Sequence, residues 1–196
     1  MFKINQNTEH GFLQIIFVVI VSSLFLFISA TGYSSDLDSE LIQAVKDENI
    51  SMMKALLEKG ANVNARDTLD DTPLIIAAKL GYVDCIQTLL ANGADIDAHC
   101  FRRCSPLMWS VRNGHTQAAK VLIENGAKLN MQDLLGWTPL MNAVSEGNTE
   151  MVQILIKNGA DVNPKNNGGY TALLMADQIN ASPEIIRMLE EAGAKR

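Results

Sequence analysis

The chain is 196 residues long with a formal net charge of −6, and residues 1–32 contribute only Lys3 and Glu9 to that balance. An acidic chain without a basic stripe offers no track for a phosphate backbone, which excludes nucleic acid as the expected partner. The length allows one or two domains, and no low-complexity tract or long linker interrupts it after residue 38.

The first element is the uncharged run from Phe12 to Ala30. It exceeds the roughly 7–15 apolar residues of a signal-peptide core, which favours a membrane anchor. Against that, Ala30-Thr31-Gly32 supplies the small residues that a signal peptidase needs, and no Cys follows for lipid attachment. A cleaved signal is the preferred reading, with an anchor retained in the inner membrane as the alternative. Both share one topology. Lys3 precedes the run and Asp36, Asp38 and Glu40 follow it, and positive charge stays on the cytoplasmic side. Residues 1–32 are therefore expected to be a signal peptide or anchor, 33–38 a linker, and 39–196 a domain delivered to the periplasm or secreted. Membrane contact is expected only if residues 12–30 are retained.

From Ser39 onward the sequence repeats itself. Thr72-Pro73-Leu74 … Gly81 … Leu89-Leu90-Ala91-Asn92-Gly93-Ala94-Asp95 returns 33 residues later as Ser105-Pro106-Leu107 … Gly114 … Val121-Leu122-Ile123-Glu124-Asn125-Gly126-Ala127. It returns again as Thr138-Pro139-Leu140 … Gly147 … Gly159-Ala160. A worn copy starts at Thr171-Ala172-Leu173, and an earlier one runs from Ser39-Glu40-Leu41 to Gly60-Ala61. A fixed period over five copies marks a repeat array, with units at about 34–66, 67–99, 100–132, 133–165 and 166–196.

Within a unit, Thr72 is placed to cap a first helix and Pro73 suits its first position, where a missing N–H costs nothing. Gly81 permits the left-handed residue that ends it. A second helix is predicted over about Val83–Asn92, with Cys85, Ile86, Leu89 and Leu90 on one face. Neither helix is long enough to persist alone. Three columns show how neighbours hold them: Leu41, Leu74, Leu107, Leu140 and Leu173; Ala44, Ala77, Ser110, Ala143 and Ala176; and Leu56, Leu89, Leu122, Leu155 and Leu189. In the last unit two further apolar columns turn acidic at Asp177 and Glu190, as expected of a cap that meets water.

The Thr/Ser-Pro-Leu start, the mid-unit Gly, the Leu-Leu pair and the Gly-Ala-Asp tail resemble the ankyrin repeat over residues 34–196. The resemblance implies an all-α solenoid of stacked helix-turn-helix units with projecting β-turn loops. The family's usual His after Thr-Pro-Leu is absent, replaced by Ile75, Met108, Met141 and Leu174. The first-helix rows are therefore expected to lean more on packing.

The resemblance also implies a concave face of turn tips and first-helix ends that grips another protein. Carried over by position, the candidate binding residues are Leu69, Phe101, Arg102, Leu134, Leu135, Trp137 and Tyr170, with Arg112 at a neighbouring helix end. Large apolar residues there, beside an Arg, suit a binding hot spot. The alternative is that Trp137 and Tyr170 pack between adjacent turns. Trp109 can be core or rim.

Cys85 stands in an apolar column and reads as a buried structural thiol. Cys100 and Cys104 flank one turn, in which Arg103 takes a left-handed position that suits Gly. A disulfide between Cys100 and Cys104 is expected to close that turn if the domain reaches an oxidising compartment. His99, Cys100, Cys104 and His115 match no zinc spacing, and no nucleophile or phosphate-loop motif stands out. No cofactor, metal or catalytic activity is expected. The reading is a monomeric, non-enzymatic module that binds an unidentified partner protein outside the cytoplasm. Small exported bacterial members of the family suggest a periplasmic accessory, for instance in peroxide defence, or an immunity-type protein. A secreted factor acting on host proteins and a membrane-anchored scaffold remain open.

Overall fold

The computed structural model describes residues 36–195. The apolar run 12–30 and its expected cleavage site lie outside the described residues. Among those residues there are helices and turns and no strand. No helix among them is long and apolar enough to cross a membrane.

Five helix pairs follow one another. They are α1 (36–46) with α2 (Ile50–Glu58), α3 (Pro73–Leu80) with α4 (Val83–Ala91), and α5 (Pro106–Arg112) with α6 (Thr116–Glu124). Then come α7 (Pro139–Ser145) with α8 (Thr149–Lys157), and α9 (Ala172–Gln178) with α10 (Pro183–Glu191). The first helices form one layer, α3 on α5 on α7 on α9. The second helices form the other, α2 on α4 on α6 on α8 on α10. Residues 36–38, assigned to a linker by the sequence, are already helical. Leu37 is buried there, and Asp38 Oδ1 accepts a bond from the Asn62 N–H at 2.7 Å.

Local chemistry starts the first helices α3, α5, α7 and α9 in the same way. The hydroxyls of Thr72, Ser105, Thr138 and Thr171 accept from the N–H three residues on, at 3.2–3.3 Å. That satisfies one of the four donors every helix start leaves open. Gly81 ends α3 at φ 75°, and a Cβ there would meet the His115 ring at 2.6 Å. His115 is held in place by Nε2, which lies 2.9 Å from the Lys79 carbonyl oxygen.

The columns behave as the repeat demands. All five members of the Leu56–Leu189 column are fully buried, and the Leu41–Leu173 column is at most 1% exposed. Each such leucine contributes on the order of 1.5–3 kcal/mol by leaving water. Asp177 and Glu190 stand exposed where earlier units bury or half-bury an apolar residue. In the family's His position, Ile75, Met108 and Met141 are buried, so packing replaces a side-chain hydrogen bond.

A polar ladder ties the unit ends together. Asn64, Asp97, Asn130 and Asn163 each accept, through Oδ1, a backbone N–H of the next unit, from Asp95, Lys128, Asp161 and Lys195 respectively, at 2.8–2.9 Å. This ladder, with the two packed layers, sets the spacing of the loops that carry the candidate site.

Candidate protein-binding surface

Four five-residue fingers project from the array: 67–71, 100–104, 133–137 and 166–170. Each is closed at its base by a backbone bond from its first N–H to its fifth carbonyl, at 3.0–3.2 Å. Each has a left-handed fourth residue: Asp70 (φ 63°), Arg103 (φ 59°), Gly136 (φ 76°) and Gly169 (φ 81°). In three fingers the first side chain also staples the turn. Asp67 Oδ1 accepts from the N–H groups of Leu69 and Asp71. Asp133 Oδ1 accepts from Leu135 and Trp137, and Asn166 Oδ1 from Gly168 and Tyr170. This Asx arrangement preorganises a short loop. In the remaining finger Cys100 stands at that position, with no oxygen to offer.

The later fingers are also joined edge to edge. Leu134 N–H donates to Arg102 O, and Asn167 N–H to Leu135 O, both at 3.0 Å. Gly136 makes that approach possible. A Cβ on it would stand 2.8 Å from the Asn167 backbone nitrogen.

The structure places the sequence-selected residues as follows. Leu69, Phe101, Leu134 and Leu135 stand out at the tips, more than half exposed, and Tyr170 is 39% exposed. Arg102 and Arg112 are exposed too. Trp137 differs, being half-buried and packed on the main core. Its position is the fifth of the finger, shared with Asp71, Cys104 and Tyr170, where the chain turns back toward the first-helix layer. One side of Trp137 still lines a hollow of about 410 Å³ with Leu135, Tyr170 and Ile179. A second hollow, about 340 Å³, lies between the second and third fingers.

Sequence reasoning missed one constellation on the inner side of the first helices. Trp109 is half-buried, with Lys79 Nζ 4.2 Å and Arg112 Cζ 5.8 Å from its ring centroid. Cations over an indole face are attracted by its quadrupole. Lys79 is also paired with the buried carboxylate of Asp71. Asp71 Oδ1 and Trp109 Nε1 are both buried without a hydrogen-bond partner. The available signal was the 33-residue spacing of Lys79 and Arg112, at equivalent helix ends.

Cys85, Cys100 and Cys104 are free thiols in this structure, and all three are buried. The Cys100–Cys104 bridge expected from the sequence is thus not formed here. Burial pushes the Cys104 thiol up to about 12, aided by Cys100 and Asp133 and opposed by Arg112. Burial likewise raises Cys85 to about 11, with Glu48 and Asp84 adding to it. Thiols so raised stay protonated near neutral pH and react only through a small thiolate fraction. Among the described residues no group of three or more His, Cys, Asp or Glu is placed to hold a metal ion.

No curated protein matches the chain. A family model described as ankyrin repeats (3 copies) matches residues 41–133 and 107–195, and arrays of that family are in general non-enzymatic modules for binding other proteins. The match spans most of the sequence and coincides with the stacked helix pairs and projecting fingers, so the chain belongs to the ankyrin repeat family.

Proposed function

We propose that this array is a non-enzymatic binding module working outside the cytoplasm, holding one partner protein against its fingers and first-helix ends. The row of exposed apolar tips, from Leu69 and Phe101 through Leu134 and Leu135 to Tyr170, carries this reading. Three of the four fingers are stapled and the last three are bonded edge to edge, and side chains on loops held in that way lose little conformational freedom on binding. The uncharged run 12–30, with Lys3 before it and acidic residues after it, supports delivery across a membrane.

The test is crosslinking in the native cell followed by mass spectrometry, on the wild-type chain and on a Leu134→Ala/Leu135→Ala variant. Both leucines are exposed, so helicity and melting temperature should hold while the partner crosslinks disappear. Unchanged crosslinks would refute the site. N-terminal sequencing of the mature chain addresses location. A start near residues 31–33 supports a cleaved signal and a periplasmic or secreted protein. An intact leading run supports the membrane-anchored alternative, which the length of that run favours.

A further inference from the structure

We propose that the hollow between the second and third fingers receives an acidic residue next to a large apolar one, on a segment of the partner protein. This rests on the reading that the array binds protein, and adds the chemistry of what it binds. The hollow is lined by Phe101, Leu134 and Leu135, by Arg102 and Arg112, and by Cys104. Its apolar walls suit one large side chain.

Charge selects the neighbour of that side chain. The chain carries −6 overall, yet there is no Asp or Glu between Asp97 and Glu124, a stretch that holds Arg102, Arg103, Arg112 and Lys120. Lys120 is engaged by Glu150. Arg102 and Arg112 take part in none of the ion pairs among the described residues. Arg102 lies over the Phe101 ring at 5.7 Å and Arg112 over Trp109 at 5.8 Å. Asp133 also lines the hollow and keeps its charge, with Oδ1 accepting from the N–H groups of its own finger, so the lining sets two positive charges against one negative. A guanidinium steadied on a ring keeps its donor fork free for a carboxylate.

The probe is a random peptide library displayed on phage. It is selected against the full chain, held in detergent where the leading run is retained. Enriched peptides should carry Asp or Glu beside Leu, Ile or Phe. Synthetic copies should bind an Arg102→Gln/Arg112→Gln variant about 10- to 100-fold more weakly. Both arginines are exposed, so an unchanged melting temperature confirms the fold. Enriched peptides without an acid, equal binding to the variant, or no enrichment at all would each overturn the assignment. If such peptides instead depend on Leu134 and Leu135, the finger-row reading survives and only the acidic selectivity falls.

A separate observation concerns the second finger itself. The Asx staple shared by the other three fingers is missing here, and its place is taken by Cys100 facing Cys104. The Cys100 N–H donates to the Cys104 carbonyl at 3.2 Å. The two side chains also lie within hydrogen-bond reach of each other, the kind of approach that a disulfide needs. The geometry points to a dithiol that an oxidant of the disulfide class closes into a bridge, replacing the missing staple. One thiol loses its proton and attacks the oxidant's disulfide, releasing one thiol. The other loses its proton and attacks the mixed disulfide, forming Cys100–Cys104 and releasing a second. Two electrons pass to the oxidant.

Trypsin can report this at Arg102 and Arg103, both exposed at the tip. After treatment of the full chain with oxidised glutathione, two thiols should resist alkylation in denaturant while Cys85 reacts. Cleavage at the tip should slow, and dithiothreitol should restore it. Cys100→Asp, which rebuilds the staple, should cleave slowly under both conditions. Three alkylatable thiols after oxidation, or a glutathione adduct alone, would overturn the bridge.

Discussion

At Gly136 two demands meet in one residue. Its φ of 76° suits glycine, and the Asn167 backbone nitrogen would lie 2.8 Å from any added Cβ. Gly136→Ala should therefore destabilise by about 1–3 kcal/mol, read as a lowered urea midpoint, and should part the third finger from the fourth. Cys104 offers a pH test. Its folded thiol is raised from an ordinary 9.0 to about 12, so the fold holds the proton more tightly than the unfolded chain does. The associated stability is present below pH 9 and lost as pH rises toward 12. Between pH 8 and pH 11 the urea midpoint of wild type should fall more steeply than that of Cys104→Ala. Parallel slopes would contradict the assignment. The left-handed need at Arg103 was legible from the aligned turns. The inward seat of Trp137 was not, because its column (Asp71, Cys104, Trp137, Tyr170) shares no chemistry from which a direction could be read.

Helices of seven to nine residues, as most of these are, do not hold without neighbours. Their starts nevertheless depend on single hydroxyls. Thr138→Ala removes the acceptor for the Met141 N–H in a buried cap, and should cost about 1 kcal/mol of stability in denaturant titration. The caps, the Pro at the first helical position and the turn glycines were all readable, since each is a local rule. The start of α1 was not. Asp36 to Asp38 look like solvated linker until the buried Leu37 and the Asp38–Asn62 bond are known.

Among the described residues the main helix contacts run within a unit or between neighbouring units, so position along the row decides how far a defect spreads. Leu122 in α6 and Leu189 in α10 are both fully buried. Leu122→Ala should lower the main unfolding transition by about 2–5 kcal/mol. Leu189→Ala should instead expose α9 and α10 first. Hydrogen exchange localised to residues 172–191 in the second variant, and spread on both sides of α6 in the first, is the expected pattern. The sequence by itself determined the period, the buried columns, the caps and which residues occupy the tips, because a repeat writes each contact once per unit at a constant spacing. Only the tertiary structure decided that Arg102 and Arg112 face one apolar hollow, that Lys79 and Arg112 flank Trp109, and that one finger lacks the staple the others share. Those relations join side chains from different units or from different elements of one unit, or compare hydrogen bonds between loops, and no local pattern encodes either.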